Sequence, residues 1–381
     1  MQPRASKWRT TLPVIGTLLL WCCCAPVSAA DSLIMPLASQ SLLLDVCNAG
    51  SRLVAVGERG HILLSDDAGQ QWRQARVPTR QMLTAVYFPS PRRGWAVGHD
   101  GLVLVSVDGG ESWAIQRNGL AEQLRLNQQR LSAVEQQIAA NKQSLLEADN
   151  ARRREQLQQQ LEELALDRED LQYLLAGPVH APPLLDLYFF DELRGIVVGA
   201  FNSLLITRDG GVTWLEVSER LHNPDELHLN AVTGGDDGHA WIAAEGGLLF
   251  RSSDQGASWS SLPSPYAASW FGIARDPRSK TLLAFGLRGN IYRSTDGGKN
   301  WLASASNAER SLSGGVFVNE QYVVLAGAVG SLLLSKDGGR SFSSHPLKQR
   351  VNLSSVTAHS GKIIAVGQGG IYRRDSLEQL Q

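Results

Sequence analysis

Two patterns of apolar spacing divide this chain. Over most of its length, runs of four to seven β-branched, aromatic and leucine residues are closed by Gly, Pro or Asp, which predicts short strands joined by tight turns. From Leu120 to about Leu175 the pattern changes. Apolar residues fall at Leu124, Leu131, Val134, Ile138 and Leu145, then at Leu157, Leu161, Leu164, Leu171 and Leu175, in steps of three, four and seven. That spacing predicts two helices of about 25 residues, each roughly 37 Å long at 1.5 Å per residue, folding back as an antiparallel hairpin. The polar break "EADNARRR" separates them, and "GPVHAPP" (Gly177 to Pro183) stops the second helix and returns the chain to strand.

The strand-forming part is repetitive. "SVDGGESW" (Ser106 to Trp113) recurs as "SDDAGQQW", "TRDGGVTW", "SSDQGASW", "STDGGKNW" and "SKDGGRSF", which places an aspartate at Asp67, Asp108, Asp209, Asp254, Asp296 and Asp337 and closes each octet with Trp72, Trp113, Trp214, Trp259, Trp301 or Phe342. Successive aspartates lie 41, 101, 45, 42 and 41 residues apart, so one gap holds about sixty extra residues, the helical stretch. A period near forty with four short strands per unit is that of propeller blades, small antiparallel sheets that bury their faces only against neighbours. Unit two shows the plan: "MLTAVYF", "WAVG", "LVLVS", the octet turn, then "WAIQR", as inner, second, third and outer strands.

Inner strands are expected near Leu42, Met82, Leu184, Leu229, Trp270, Gly314 and Leu353, one more than the octets. The last unit stops after its third strand, and "SLIMPLA" (Ser32 to Ala38) is expected to supply its fourth, closing the ring and removing an open edge. The expected organisation is a signal peptide over 1–30, blades one and two with the closing strand over 31–118, the hairpin over 119–176, and blades three to seven over 177–381. The fold class is an all-β, seven-bladed propeller of four-stranded blades with an inserted α-helical hairpin.

Strand alternation assigns the faces. Octet turns lie on one face of the ring; second-to-third turns and the hairpin lie on the other. Each octet is expected to be structural: the Asp carboxylate and Ser or Thr hydroxyl accept from turn N–H groups, the glycine permits positive φ, and the aromatic packs between blades. Six equivalent copies around a ring cannot converge on one substrate, and the turn lacks the alternating oxygen ligands of a calcium loop. On the hairpin face, Arg59, Arg80, Arg288, Arg310 and Arg350, with Trp270, form the candidate partner-binding surface, suited to a peptide carboxylate or acidic tail.

The first thirty residues read as an address: Arg4, Lys7 and Arg9 precede an apolar run from Leu12 to Cys24, with small residues up to Ala30 suited to cleavage. The run is shorter than the roughly 20 residues a bilayer span needs, and Trp21 and its cysteine neighbours do not suit lipid attachment at Cys22 to Cys24. Cleavage leaves Cys47 as the sole cysteine and 33 basic against 37 acidic residues, so no intramolecular disulfide forms and no global charge draws nucleic acid. The eight histidines are dispersed without metal-ligand spacing, and no phosphate-binding glycine motif opens a helix, so neither metal nor cofactor is expected.

The octet is the Asp-box of bacterial neuraminidase repeats. In "VAVGERGHILLSDDAGQQW" and "WAVGHDGLVLVSVDGGESW", where a glycine turn leads into the boxed strand, the chain resembles the photosystem II stability and assembly factor family of seven-bladed propellers. The resemblance spans about Leu42 to Asp375. It implies a non-catalytic scaffold on the lumenal or periplasmic side that holds a membrane-protein complex or its periplasmic segment, through the propeller face and the hairpin; relatives in non-phototrophs accompany membrane transport systems. The enzyme alternative is a sialidase-like hydrolase of extracellular glycans. It needs three arginines on a carboxylate, a Tyr–Glu pair and an acid/base Asp, or two facing carboxylates. No arginine motif of that kind follows the first strand, and Glu58, Asp100 and Glu245 belong to separate blades.

Overall fold

The computed structural model describes residues 31–376, so the expected signal peptide and its cysteines lie outside the described residues. Seven antiparallel sheets follow one another around a ring. In the first blade the strands are Leu43–Ala49, Arg52–Gly57, Ile62–Ser65 and Arg73–Gln74, and five further blades repeat the four-stranded order. The second strands are buried apart from Arg52 and Lys362 at the starts of two of them, as in Gly94–Gly98 and Val323–Gly327, because both faces of each sheet are covered by neighbouring blades. The core is correspondingly a set of inter-blade clusters, such as Val54, Val56 and Leu64 of blade one against Val86 and Ala96 of blade two.

Every inner strand carries a register shift at its start, between Leu43 and Asp45 in blade one and between Leu353 and Ser355 in blade seven, with the same step in the others. The extra residue of each bulge, from Leu44 round to Ser354, lines the central channel. In blade six the strand is Leu312–Phe317, two residues ahead of the expected Gly314. Gly314 belongs to the bulge, where an added Cβ would lie 2.7 Å from the Ser355 Cα of the next blade.

The closing strand is a correction. Among the described residues blade seven has three strands, Leu353–His359, Lys362–Gly367 and Gly370–Arg374, and residues 32–37 form no ladder with them. Pro36 has no N–H to donate and fixes its φ, which rules out regular pairing at the middle of the segment. The segment instead lies across the seam. Ser32 N donates to Val77 O (2.8 Å), Gln74 exchanges hydrogen bonds with Leu33 O and Met35 N, and Met35 and Ala38 pack with Val366 and Ile371. Side chains of the two terminal blades close the ring: Asn48 Nδ2 donates to Thr357 Oγ1 and Ala358 O at 3.1 Å, and Ser355 Oγ donates to Asp45 at 2.7 Å.

The inserted helices are α1, Gly119–Glu147, and α2, Ala151–Ala176. Asn118 and Asn150 cap them, accepting from Ala121 N (3.1 Å) and Arg153 N (2.8 Å). Asn127, Ile138, Ala148 and Leu157 are buried along their seam. At the root, Arg117 donates to Gly101 O (2.6 Å) and pairs with Glu122 (2.7 Å), while Gly119 abuts the Asp100 carbonyl so closely that a Cβ would sit 2.3 Å from it. The hairpin is thus seated on the second-to-third turn of blade two, on the face away from the octets. No described helix is long and apolar enough to cross a membrane.

Candidate functional site

The six boxed aspartates are bound into their own turns. Asp108 accepts from Ser106 Oγ (2.8 Å), Ser112 N (3.0 Å) and Ser112 Oγ (2.5 Å), while Ser106 Oγ accepts from Gly110 N (2.9 Å), whose φ is +89°. Asp67, Asp209, Asp254, Asp296 and Asp337 repeat this arrangement. The Asn300 backbone and side-chain donors hold the Asp296 carboxyl down at about 2. Each box aromatic packs at a blade junction: Trp72 between blades seven and one, Trp113 between one and two, then Trp214, Trp259, Trp301 and Phe342 at the next four. No two boxed carboxylates share a hydrogen-bond partner in these turns, so the set staples corners.

The hairpin face separates its candidates. Arg59 and Arg80 are exposed but tied to the segment before the first blade, through Met35 Sδ (3.8 Å) and Asp31 O (2.9 Å). Arg288, Arg310 and Arg350 are exposed on three successive blades, and their guanidinium groups have no ion pair or hydrogen bond among the described residues. Arg288 owes its position to a left-handed φ of +59° in a turn that Arg59, Asp100 and Val329 share. Trp270 is a correction: it is 0 % exposed, donates to Gly247 O (3.2 Å) and packs edge-on against Tyr266 and Tyr292. It occupies the place of the leucine that begins every other inner strand and is core, unavailable to a partner.

Two sites were not anticipated from the sequence. At the hairpin-face end of the channel, Asp45 and Asp186 are half-buried on the channel wall. Asp45 accepts from Val46 N (2.8 Å), Val86 N (2.9 Å) and Ser355 Oγ (2.7 Å); Asp186 accepts from Leu187 N and Val232 N, both at 2.8 Å. Each carboxylate therefore clamps its blade to the next one. Thr84, Asn230 and Ser313 do the same with hydroxyl or amide donors to Leu184 O, Trp270 O and Leu353 O. Burial pushes the Asp45 carboxyl up and, with the nearby Asp45 charge adding to it, raises Asp186 to about 7. The cavity they line is about 200 Å³, smaller than the ~300 Å³ lower range of ligand pockets, and their oxygens are taken by backbone donors.

The octet face carries the other site, a cleft of about 210 Å³ between blades four and five. Trp241 forms its floor. Arg251 and Arg275 lie over that ring at 5.9 and 5.4 Å, and the Nε of each is buried without a partner. Arg275, 4 % exposed, donates to Asp237 Oδ2 (2.8 Å), which also holds Lys280 Nζ at 3.3 Å. Arg251 has no ion pair among the described residues. The cleft adjoins a wider one of about 390 Å³ at the channel mouth, where the Tyr87 and Tyr188 rings meet at a tilt with centroids 5.1 Å apart and burial lifts the Tyr188 hydroxyl to about 12. Asp237 already engages Arg275, Lys280 and His239, and Asp296 lines the same cleft, so an anion entering here meets Arg251 over the aromatic floor, chemistry suited to a peptide carboxylate.

The hydrolase constellation is not assembled among the described residues. Glu58, Asp100 and Glu245 each accept a hydrogen bond close to their own turn, from Leu42 N, Gln81 Nε2 and His228 N. No group of three or more His, Cys, Asp or Glu side chains among them is placed to hold a metal ion.

Comparison with known proteins agrees with this architecture. The chain is 33% identical over 132 residues to a photosystem II assembly lipoprotein Ycf48 of Synechococcus sp. (strain CC9902), covering 32% of this chain and 37% of that one. It is 24% identical over 217 residues to the chloroplastic photosystem II stability/assembly factor HCF136 of Arabidopsis thaliana, covering 50% and 53%. The chain thus spans between about a third and a half of the length of these curated relatives. A solved structure described as YCF48 bound to D1 peptide superposes with a TM-score of 0.60 at 16% identity, over 92% of this chain and 99% of that one, and shares its fold. The model of the family described as photosynthesis system II assembly factor YCF48 matches residues 38–162 and 177–321, so the chain belongs to that family.

Proposed function

We propose that this protein is an exported, non-catalytic scaffold that holds an extended peptide segment of a membrane protein while a photosystem II type complex is assembled. The observation that carries the reading is the octet-face cleft, where Arg251 and Lys280 stand beside an aromatic floor with the Arg251 and Arg275 Nε atoms unpaired. Family membership supports it, as does the relative whose solved structure holds a D1 peptide. The free carboxylate of such a segment accepts from Arg251, and the unpaired Arg288, Arg310 and Arg350 on the opposite face steer the acidic surface of the client by long-range attraction. The hairpin serves as the arm that fixes the scaffold against the client. The leader-like stretch from Arg4 to Ala30 supports export, and with it a periplasmic or lumenal scaffold.

Cross-linked capture from membranes tests this, with wild type compared against Arg251→Glu/Lys280→Glu and Arg288→Glu/Arg310→Glu/Arg350→Glu. The reading expects one defined membrane-protein client, lost in the first variant and weakened in a salt-dependent way in the second. Equal capture by all three proteins would reject it. A panel of fluorogenic glycosides is expected to show no turnover; hydrolysis that Glu245→Gln abolishes would replace the scaffold with an enzyme.

A further inference from the structure

Blade seven leaves a strand edge open. In five other blades the carbonyl of the third strand's first residue accepts from the outer strand: Ile62 from Ala75 N (2.9 Å), Leu204 from Val217 N (2.9 Å), Leu249 from Leu262 N (2.8 Å), Ile291 from Ser304 N (2.9 Å) and Leu332 from His345 N (2.7 Å). Ile371 holds this position in blade seven, opposite Val366 as Ile62 is opposite Val56, and no described residue donates to its carbonyl. Among the described residues, the strand Gly370–Arg374 therefore ends its sheet with an unpaired row of backbone groups, the template that extended peptides use when they add to a sheet.

The surroundings select the occupant. Leu33, Ile34 and Leu37, on the segment crossing this seam, are 58, 65 and 64 % exposed, while their neighbours Met35 and Ala38 pack beside Ile371. Arg373 and Arg374 lie on the edge strand and Lys362 begins the strand beside it; Asp375 pairs with Arg373 at 2.7 Å and Lys362 at 3.8 Å, and Arg373 also donates to Ala68 O (3.1 Å), which leaves Arg374 without an ion pair among the described residues. We propose that this edge receives an extended segment of a partner protein, alternating acidic and apolar residues, which adds antiparallel as the fourth strand of blade seven. Its backbone pairs with Ile371 to Arg373, its apolar side chains cover Leu37 and Ile34, and an acid faces Arg374. This docking does not involve the octet-face cleft and does not depend on it.

The probe is a capped heptapeptide of alternating Glu and Val, titrated into the full-length mature chain. Its controls are the same peptide with alternate backbone nitrogens methylated and a Lys/Val counterpart. Expected are a dissociation constant near 100 μM as an order of magnitude, new hydrogen-exchange protection at Ile371 and Arg373, loss of binding on methylation, and a roughly tenfold weakening by Arg374→Glu. Arg251→Glu/Lys280→Glu is expected to leave this binding unchanged, which separates it from the cleft. Absence of binding at about 1 mM, or protection mapping elsewhere, overturns the proposal. So does binding that appears only after residues 377–381 are removed, which would make the chain's own end the occupant. A concentration-dependent dimer that the peptide dissociates would assign the edge to a second copy instead.

Discussion

Replacing Asp45 with alanine opens the ring at its seam. The carboxylate accepts three hydrogen bonds, from Val46 N, Val86 N and Ser355 Oγ, and so joins blade one to blades two and seven. Val46 and Val86 are buried, and truncation leaves two amide protons without an acceptor, each costing about 1–3 kcal/mol. Removing this half-buried carboxylate also relieves the desolvation that raises its pKa, which offsets part of that cost. The balance is a loss of about 2–4 kcal/mol. Asp45→Asn keeps one acceptor oxygen and is expected to lose about half as much. Urea unfolding followed by tryptophan fluorescence gives the stability, and hydrogen exchange gives its location: protection should fall first in Leu353–His359 and at Val86. A stability change below about 0.5 kcal/mol, or exchange rising equally in all seven blades, would refute the clamp.

Asp186 predicts an inverted pH dependence. Its folded pKa, about 7, lies above the ordinary 3.8, so the native state binds the extra proton between those values; its contribution is full below about 4 and is lost as pH rises through 7. The ceiling on that loss is about 4 kcal/mol, at 1.36 kcal/mol per pH unit, and Asp186→Asn should flatten the stability profile between pH 4 and 8 in urea titrations. Deleting Leu120 to Ala176 removes helices that bury their apolar seam mainly in each other, so the melting temperature is expected to shift by less than about 5 °C while client capture falls; a collapse of the ring would show the hairpin to be structural.

The repeat was legible because the same eight positions recur with a fixed chemical role: a hydroxyl, a carboxylate and a glycine close a turn, and the aromatic fills a junction. The hairpin was legible from leucine spacing, and its asparagine caps at Asn118 and Asn150 set the true starts of the helices. The misplacements have local causes. Trp270 read as a rim residue when its strand was considered singly, yet alignment with Leu43, Leu229 and Leu353 puts it at a core position. Ser32 to Ala38 had strand-like composition, and Pro36 prevented the ladder. Asp45 and Asp186 were visible as carboxylates in "LLDV" and "LLDL", but the bulge that orients them is a tertiary feature without a composition signal. The cleft joins Arg251, just before an octet, to its cross-strand partner Trp241 and to Arg275 of the next blade, and only the packing of adjacent blades brings the two arginines together.

The central claim, that the octet-face cleft grips a peptide by its carboxylate, is tested most directly by fluorescence titration of one peptide of the captured client with a free C-terminus and with an amidated one. The account predicts that amidation and Arg251→Glu each weaken binding at least about tenfold, about 1.4 kcal/mol, and that the two effects do not add because they remove the same contact. Equal affinity for the free and amidated peptides, or full binding by Arg251→Glu, would contradict it.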